Sequence, residues 1–157
     1  MDLLNLMSKY RQGVFTLNNP HKYLMESVDN IVFRSSWEKR VFTFLDNDSR
    51  ILAWASEPFY IQYMKPVMVK GKMSVKLSKY YPDLYVEFID NNGDMRKQLI
   101  EIKPEKQTRP SKARIATTKM KENYVYAINM AKFTAAQQWC VAHGIEFIVA
   151  TEKTLFR

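Results

Sequence analysis

The apolar positions of this chain change period several times, and each change marks an element. Over 35–46, Trp37, Val41, Phe44 and Leu45 recur at helical spacing behind Ser35 and Ser36, either of which can cap a first turn. Residues 51–54 and 59–63 are short apolar runs parted by Glu57-Pro58 and read as strands. From Lys65 to Lys79, Val67, Val69, Val75 and Leu77 alternate with cations on either side of Gly71, which predicts a hairpin with a cationic edge. Residues 83–90 and 95–103 alternate again around Asn91-Asn92-Gly93-Asp94. A three-residue loop of Asn91, Asn92 and Gly93 puts glycine where the backbone must be left-handed, and makes Asp90 and Asp94 the closing pair. Residues 104–114 form a polar loop containing Pro104 and Pro110. One helix or two follow from about 115 to 143, best patterned through Ile128, Ala131, Ala135 and Trp139 and stopped by Gly144. Ile145 to Ala150 reads as a last, buried strand, and Lys153 to Arg157 as a tail.

Residues 8–30 carry few periodic apolar positions and two turn signals, Asn18-Asn19-Pro20 and Asp29-Asn30. They read as an arm or wrapping loop, whose Lys9, Arg11, His21 and Lys22 either follow a phosphate backbone or are solvated. The expected organisation is an N-terminal arm over 1–30 and a single domain over 31–157.

Composition narrows the function classes. A chain of 157 residues, 46% hydrophobic, suits one globular domain with a real core. The net charge of +8 and a pI of about 9.5 favour a polyanionic partner through counterion release. Cys140 is the only cysteine, which excludes a disulfide framework and a Cys-based zinc site, and His21 and His143 are the only histidines, which argues against a histidine-based metal site or a histidine-driven nuclease. The start Met1 to Met7 lacks a basic beginning and a full apolar stretch, so it does not read as a signal peptide, and no apolar run is long enough for a bilayer, so no membrane partner is expected.

Candidate chemistry lies in three acidic pieces: Ser35-Ser36-Trp37-Glu38, Tyr81-Pro82-Asp83 and Glu101-Ile102-Lys103. Counted outward from the Asp90–Asp94 pair, Asp83 falls opposite Glu101. Opposed residues and residues two apart share a face. Asp83, Glu101 and Lys103 should therefore project together, with Leu84, Val86, Ile100 and Ile102 turned the other way into the core. Two neighbouring carboxylates repel, and a magnesium ion, which takes oxygen ligands, removes the conflict. Such an ion polarises a phosphate and acidifies a coordinated water, and Lys103 adds positive charge beside the attacking water. The Ile102 carbonyl is a further possible metal ligand. Glu38 has a competing role, because Ser35-x-x-Glu38 also fits a capping box. A ladder of surface ion pairs, such as Glu87 with Lys97, is the alternative reading of the hairpin.

These residues match the PD-(D/E)xK nuclease pattern, and with Glu38 on the preceding helix the chain resembles the TnsA-type endonucleases of that superfamily. It is also similar to the head completion nucleases of large contractile-tailed phages, through Tyr10-Arg11, Asn19-Pro20-His21-Lys22-Tyr23, Phe33-Arg34-Ser35-Ser36-Trp37-Glu38, Glu57-Pro58, Tyr81-Pro82-Asp83, Glu101-Ile102-Lys103-Pro104, Trp139-Cys140 and Gly144-Ile145-Glu146-Phe147. The resemblance spans about residues 9 to 155. It implies an α/β fold with a restriction-endonuclease-like core, a mixed β-sheet flanked by helices. It implies a magnesium-dependent deoxyribonuclease, with manganese as a substitute, that acts on packaged double-stranded DNA before the tail joins. Its partners would be phage head and portal-neck proteins, and its location the host cytoplasm during assembly or the virion. Asp83, Glu101 and the Ile102 carbonyl would hold the metal, Lys103 would assist the water, and Glu38 would complete the site. A transposon-end or junction-cleaving endonuclease of the same fold, and a non-catalytic DNA-end-binding head protein, are the alternatives. Oligomeric state stays open.

Candidate DNA contacts are Lys70, Lys72 and Lys76 of the cationic hairpin, with Lys65 and Lys79 beside them, and Lys106, Arg109, Lys112 and Arg114 after the acidic strand. A charged edge that blocks sheet-to-sheet aggregation explains the hairpin lysines equally well. Trp37, Trp54 and Trp139 read as core, Cys140 as buried and inert, and Lys132 as a surface lysine rather than a site residue.

Overall fold

The computed structural model describes residues 12–155. Lys9 and Arg11 of the predicted arm lie outside the described residues. Eight strands occur in this region: β1 Gly13–Val14, β2 Val32–Phe33, β3 Ile51–Ser56, β4 Ile61–Val69, β5 Lys72–Tyr80, β6 Leu84–Ile89, β7 Met95–Ile102 and β8 Glu146–Ala150. The α-helices are α1 Ser36–Asn47, α2 Ala116–His143 and α3 Glu152–Leu155. The strands form two small ribbons, β1-β2 and β4-β5, and a mixed sheet of order β3-β6-β7-β8. The chain resolves into two compact units, one of Met1–Pro58 with Leu84–Gln98, the other of Phe59–Asp83 with Leu99–Arg157.

In the first unit β3 and β6 pair antiparallel, with an irregularity between Ile51 and Ala53. Trp54 is completely buried at its centre, with ring contacts to Phe15 (6.1 Å), Tyr23 (4.8 Å) and Phe42 (5.3 Å). Ser35 caps α1, its side chain accepting from Glu38 N. The helix buries Trp37, Phe42 and Leu45, while Phe44 stays half exposed, contrary to the expected stripe. The cause is the segment before the helix. Phe15 packs on Phe42, and the backbone N–H groups of Asn18 and Asn19 donate to the buried Asp46 carboxylate at 2.7 and 3.1 Å, which turns the buried face toward residues 42 and 46. Lys22 is buried too, and its ammonium donates to the Asp46 and Asp48 carbonyls at 2.9 and 2.8 Å. It satisfies orphan acceptors at the helix C-terminus, so it is not free to follow a phosphate backbone as the sequence allowed.

The hairpin loop between β6 and β7 has the expected form. Asp90 N donates to Asp94 O at 2.9 Å, and Gly93 sits at φ +83°. In the second unit β4 and β5 are joined by the two-residue turn Lys70-Gly71, with φ of +49° and +74°. Positive φ at both central residues gives the turn whose twist matches the strands. The strand 59–63 and the separate hairpin expected from the sequence are thus one long ribbon, with Pro66 inside β4, a place open to proline in a two-stranded ribbon.

Helix α2 is continuous over 28 residues and ends at Gly144 in the left-handed region (φ +68°). It packs against β4, β8 and a 3-10 turn, Glu105–Thr108, inside the polar loop. Ala136 and Cys140 are its fully buried positions, and burial pushes the Cys140 thiol up to about 11, as suits an inert thiol. Trp139 is half-buried, stacked on His143 at 3.9 Å and against Phe59 at 4.5 Å, so it is less of a core residue than expected.

Along the end of β7 the alternation differs from expectation. Leu99 and Glu101 are the buried pair, and Ile100 and Ile102 are only half-buried. Tyr80 from β5 covers the Glu101 side, so this stretch has no solvent face by which polar and apolar residues could be sorted.

Candidate active site

The second unit brings Asp83, Glu101 and Lys103 together. Pro82 is fully buried and anchors the turn from β5 into β6, with Asp83 next in line. Asp83 Oδ2 accepts from Ile102 N at 2.6 Å, which sets its carboxylate against the strand end that carries Glu101. Lys103 N donates to Ala150 O of β8 at 2.9 Å and pins the following residue. Bonds to the main chain thus fix the Asp83 carboxylate and the backbone at Lys103.

Glu101 is 2% exposed, and a buried carboxylate needs partners for both oxygens. Oε1 accepts from Lys103 Nζ at 2.7 Å and Oε2 from the Tyr80 hydroxyl at 2.8 Å. Burial works against the Lys103 ammonium, but the charge and hydrogen bond of Glu101, with Asp83 behind them, more than offset it and raise its pKa above the ordinary lysine value. Lys103 therefore stays charged at neutral pH. Burial, then the charge and hydrogen bond of Glu101, raise the Tyr80 phenol, which remains a neutral donor.

The donor set suits a divalent cation that prefers oxygen ligands. Asp83 and Glu101 offer hard carboxylate oxygens, although no cluster of three or more His, Cys, Asp or Glu forms among the described residues. Two carboxylates, with the remaining positions left to water and phosphate oxygens, are what magnesium commonly takes from a protein.

Two residues that sequence reasoning left out belong to this neighbourhood. Tyr80 is one of three tyrosines interleaved with the hairpin lysines, and nothing in that spacing marks it as a partner for Glu101. Lys132, expected on the surface, is half-buried on α2, with its ammonium 5.4 Å from the Tyr80 ring centre and 5.9 Å from that of Tyr63. Burial, then the nearby Lys103 charge, lower its pKa, while Glu101 and Asp83 oppose the shift. The one signal for it was its place in a long helix, which does not reveal which strand the helix covers.

Glu38 lies in the first unit. Its N–H donates to Ser35 Oγ at 3.1 Å, and its carboxylate accepts from Arg34 N. This is capping, one residue displaced from the usual reciprocal pair. Ser35→Ala removes this cap. It is expected to cost about 1 kcal/mol of stability, read as a lower midpoint in urea unfolding.

Among the candidate DNA contacts, Lys70, Lys72 and Lys76 are exposed on the ribbon, and Lys106, Lys112 and Arg114 on the loop after β7. Arg109 is half-buried, its Nε 3.4 Å from Glu105 Oε2. The loop is tied to α2, with Ser111 N donating to Asn123 Oδ1 at 2.8 Å and Asn129 Nδ2 to Gln107 O at 3.2 Å.

An Asp just before one strand and a Glu-x-Lys at the end of the next, beside a long helix, are the frame of a restriction-endonuclease-like nuclease. The chain belongs to the TnsA-like endonuclease family: residues 48–152 match the family described as TnsA-like endonuclease N terminal. It is also 35% identical over 131 residues to the head completion nuclease of Enterobacteria phage T4, a match covering 80% of this chain and 81% of that relative. Asp83, Glu101, Lys103 and Lys132 fall inside the family match, and Glu38 outside it.

Proposed function

We propose that this chain is a divalent-metal-dependent DNA nuclease that acts in phage head completion, on double-stranded packaged DNA before head and tail join. The observation that carries the chemistry is the placement of Asp83 against the Glu101-Ile102-Lys103 strand end by the bond from Ile102 N. The role in assembly is supported by the extent of the match to the phage relative. On this reading head and portal-neck proteins are its partners, and it works in the host cytoplasm during assembly or travels in the virion.

Magnesium, or manganese in its place, would be held by Asp83, Glu101 and the Ile102 carbonyl, and would supply positive charge to the scissile phosphate and acidify the attacking water. Asp83 is held in orientation by the backbone. Tyr80 orients Glu101 through its hydroxyl. Lys103, already charged, moves from its Glu101 oxygen to orient water and offset the charge that develops on the phosphate. Glu38 is assigned a part in the reaction by the resemblance alone, in addition to its capping role. Lys70, Lys72 and Lys76, with Lys106, Arg109, Lys112 and Arg114, contact the DNA backbone, which implies low sequence specificity.

The direct test is a metal-dependent cleavage assay on linear, nicked and branched DNA, with protein purified free of host nuclease. Cleavage that requires added magnesium supports the reading; its absence with intact, DNA-binding protein overturns it. Manganese-soaked crystals add a structural test, with density expected between Asp83 and Glu101. Tyr80→Phe removes one of the two hydrogen bonds to Glu101. It is expected to lower metal affinity or activity by about 10–100-fold, seen as a rightward shift in the magnesium dependence of cutting.

A further inference from the structure

The ribbon β4-β5 concentrates positive charge with nothing to balance it. Residues 58–82 contain five lysines and no carboxylate. Lys65 and Lys76 stand directly opposite each other in the register. Like charges so placed in an antiparallel pair are destabilising. Residues two apart on one strand share a face, so Lys65 and Lys76 lie on the same side of the ribbon as Tyr63 and Tyr80. That is the side on which Lys132 of α2 stands over the two tyrosine rings. Lys65 is near enough for its charge to act on Lys132.

Lys132 and Lys65 are both half-buried residues, and among the described residues neither has an ion pair or hydrogen bond to a carboxylate or carbonyl. The nearest acids are engaged elsewhere, Glu101 by Lys103 and Tyr80, Asp83 by Ile102 N. A partly desolvated ammonium ordinarily finds an oxygen acceptor. Two such groups on one side of the ribbon, near an acidic pair already satisfied, form a seat for an anion with several acceptor oxygens.

The geometry points to Lys132 and Lys65 as a phosphate seat, with Tyr63 and Tyr80 as its floor, that holds a backbone phosphate of the DNA beside the scissile one. The inference rests on the nuclease reading of the neighbouring site and deepens it, since it gives the strand a direction of exit along the lysine side of the ribbon, past Lys76. The ligand is a phosphodiester backbone. Tyr80 then serves both sites, with its ring under Lys132 and its hydroxyl on Glu101, so an occupied seat is coupled to the metal-binding carboxylate.

The test is a salt titration of binding to a labelled DNA duplex in EDTA, where no cleavage occurs, for wild type, Lys132→Gln, Lys65→Gln, the double variant and Lys132→Arg. Each Gln substitution is expected to reduce the slope of log affinity against log salt by about 0.9, as for one phosphate contact. The double variant should lose about tenfold in affinity, and Lys132→Arg should keep the slope. An unchanged slope in the folded Gln variants overturns the seat. So does a fall in melting temperature with unchanged slope, which would make Lys132 a prop for the tyrosines. Failure of the nuclease reading is separable: wild type that binds DNA with these slope changes but does not cut it in magnesium loses the reaction and keeps the seat.

Discussion

Asp83→Asn and Glu101→Gln are each expected to reduce magnesium-dependent DNA cleavage by about a thousandfold or more, equivalent to roughly 4 kcal/mol of transition-state stabilisation, with DNA binding in EDTA retained. The substitutions are chosen for shape. Asn at 83 keeps an oxygen to accept from Ile102 N, so the strand end stays in place while the negative charge is lost. Gln at 101 keeps an acceptor for Lys103 or Tyr80 but removes the charge that a divalent ion requires. The two are one unit in the proposed chemistry, so the double variant should be scarcely worse than either single one, as in other catalytic groups that act together. Single-turnover cleavage of plasmid across a magnesium range, beside circular dichroism, measures both halves of the expectation. Either variant cutting at the wild-type rate would remove that carboxylate from the reaction.

Trp54→Ala should be among the most damaging core substitutions. It removes the fully buried ring at the centre of the first unit, where Phe15, Tyr23 and Phe42 converge. A cost of about 3–5 kcal/mol is expected from lost burial and the cavity left behind, a large part of the stability of a domain this size. Trp54→Phe provides the contrast. Among the described residues the buried indole Nε1 has no hydrogen-bond partner, so Phe gives up packing area but also removes an unsatisfied donor. Its cost should be well below that of Ala. Urea unfolding of both variants gives the comparison, and equal losses would mean that the ring contacts matter little.

Where local signals were strong, sequence reading reached the structure. Gly93 in a three-residue loop defined the Asp90–Asp94 closing pair, and from that pair the meeting of Asp83 with the Glu101 strand end follows by counting. Gly71 marked the ribbon turn and Gly144 the end of the long helix. Ser35 marked the start of α1. Each depends on a backbone conformation or a side-chain bond that acts within about four residues, so it is visible in a short window. The resemblance to nucleases, carried by Asp83, Glu101 and Lys103, was visible for the same reason.

Other placements depend on distant partners. Lys22 is buried because helix carbonyls 24 and 26 residues further on accept from it. Phe42 rather than Phe44 faces inward because Phe15 and Asn18 lie on that side. Tyr80 meets Glu101 across 21 residues, and Lys132 stands over tyrosines of the ribbon only because α2 packs on β4. No periodicity within a helix or strand says which element will cover it. The sequence by itself determined the main turns, the long elements they bound and the approach of Asp83 to the strand end that carries Glu101, because those follow from local backbone sterics and loop length. Only the tertiary structure decided that Glu101 is buried between an ammonium and a phenol, and that a second lysine waits beside them, because burial is a property of what packs against a residue.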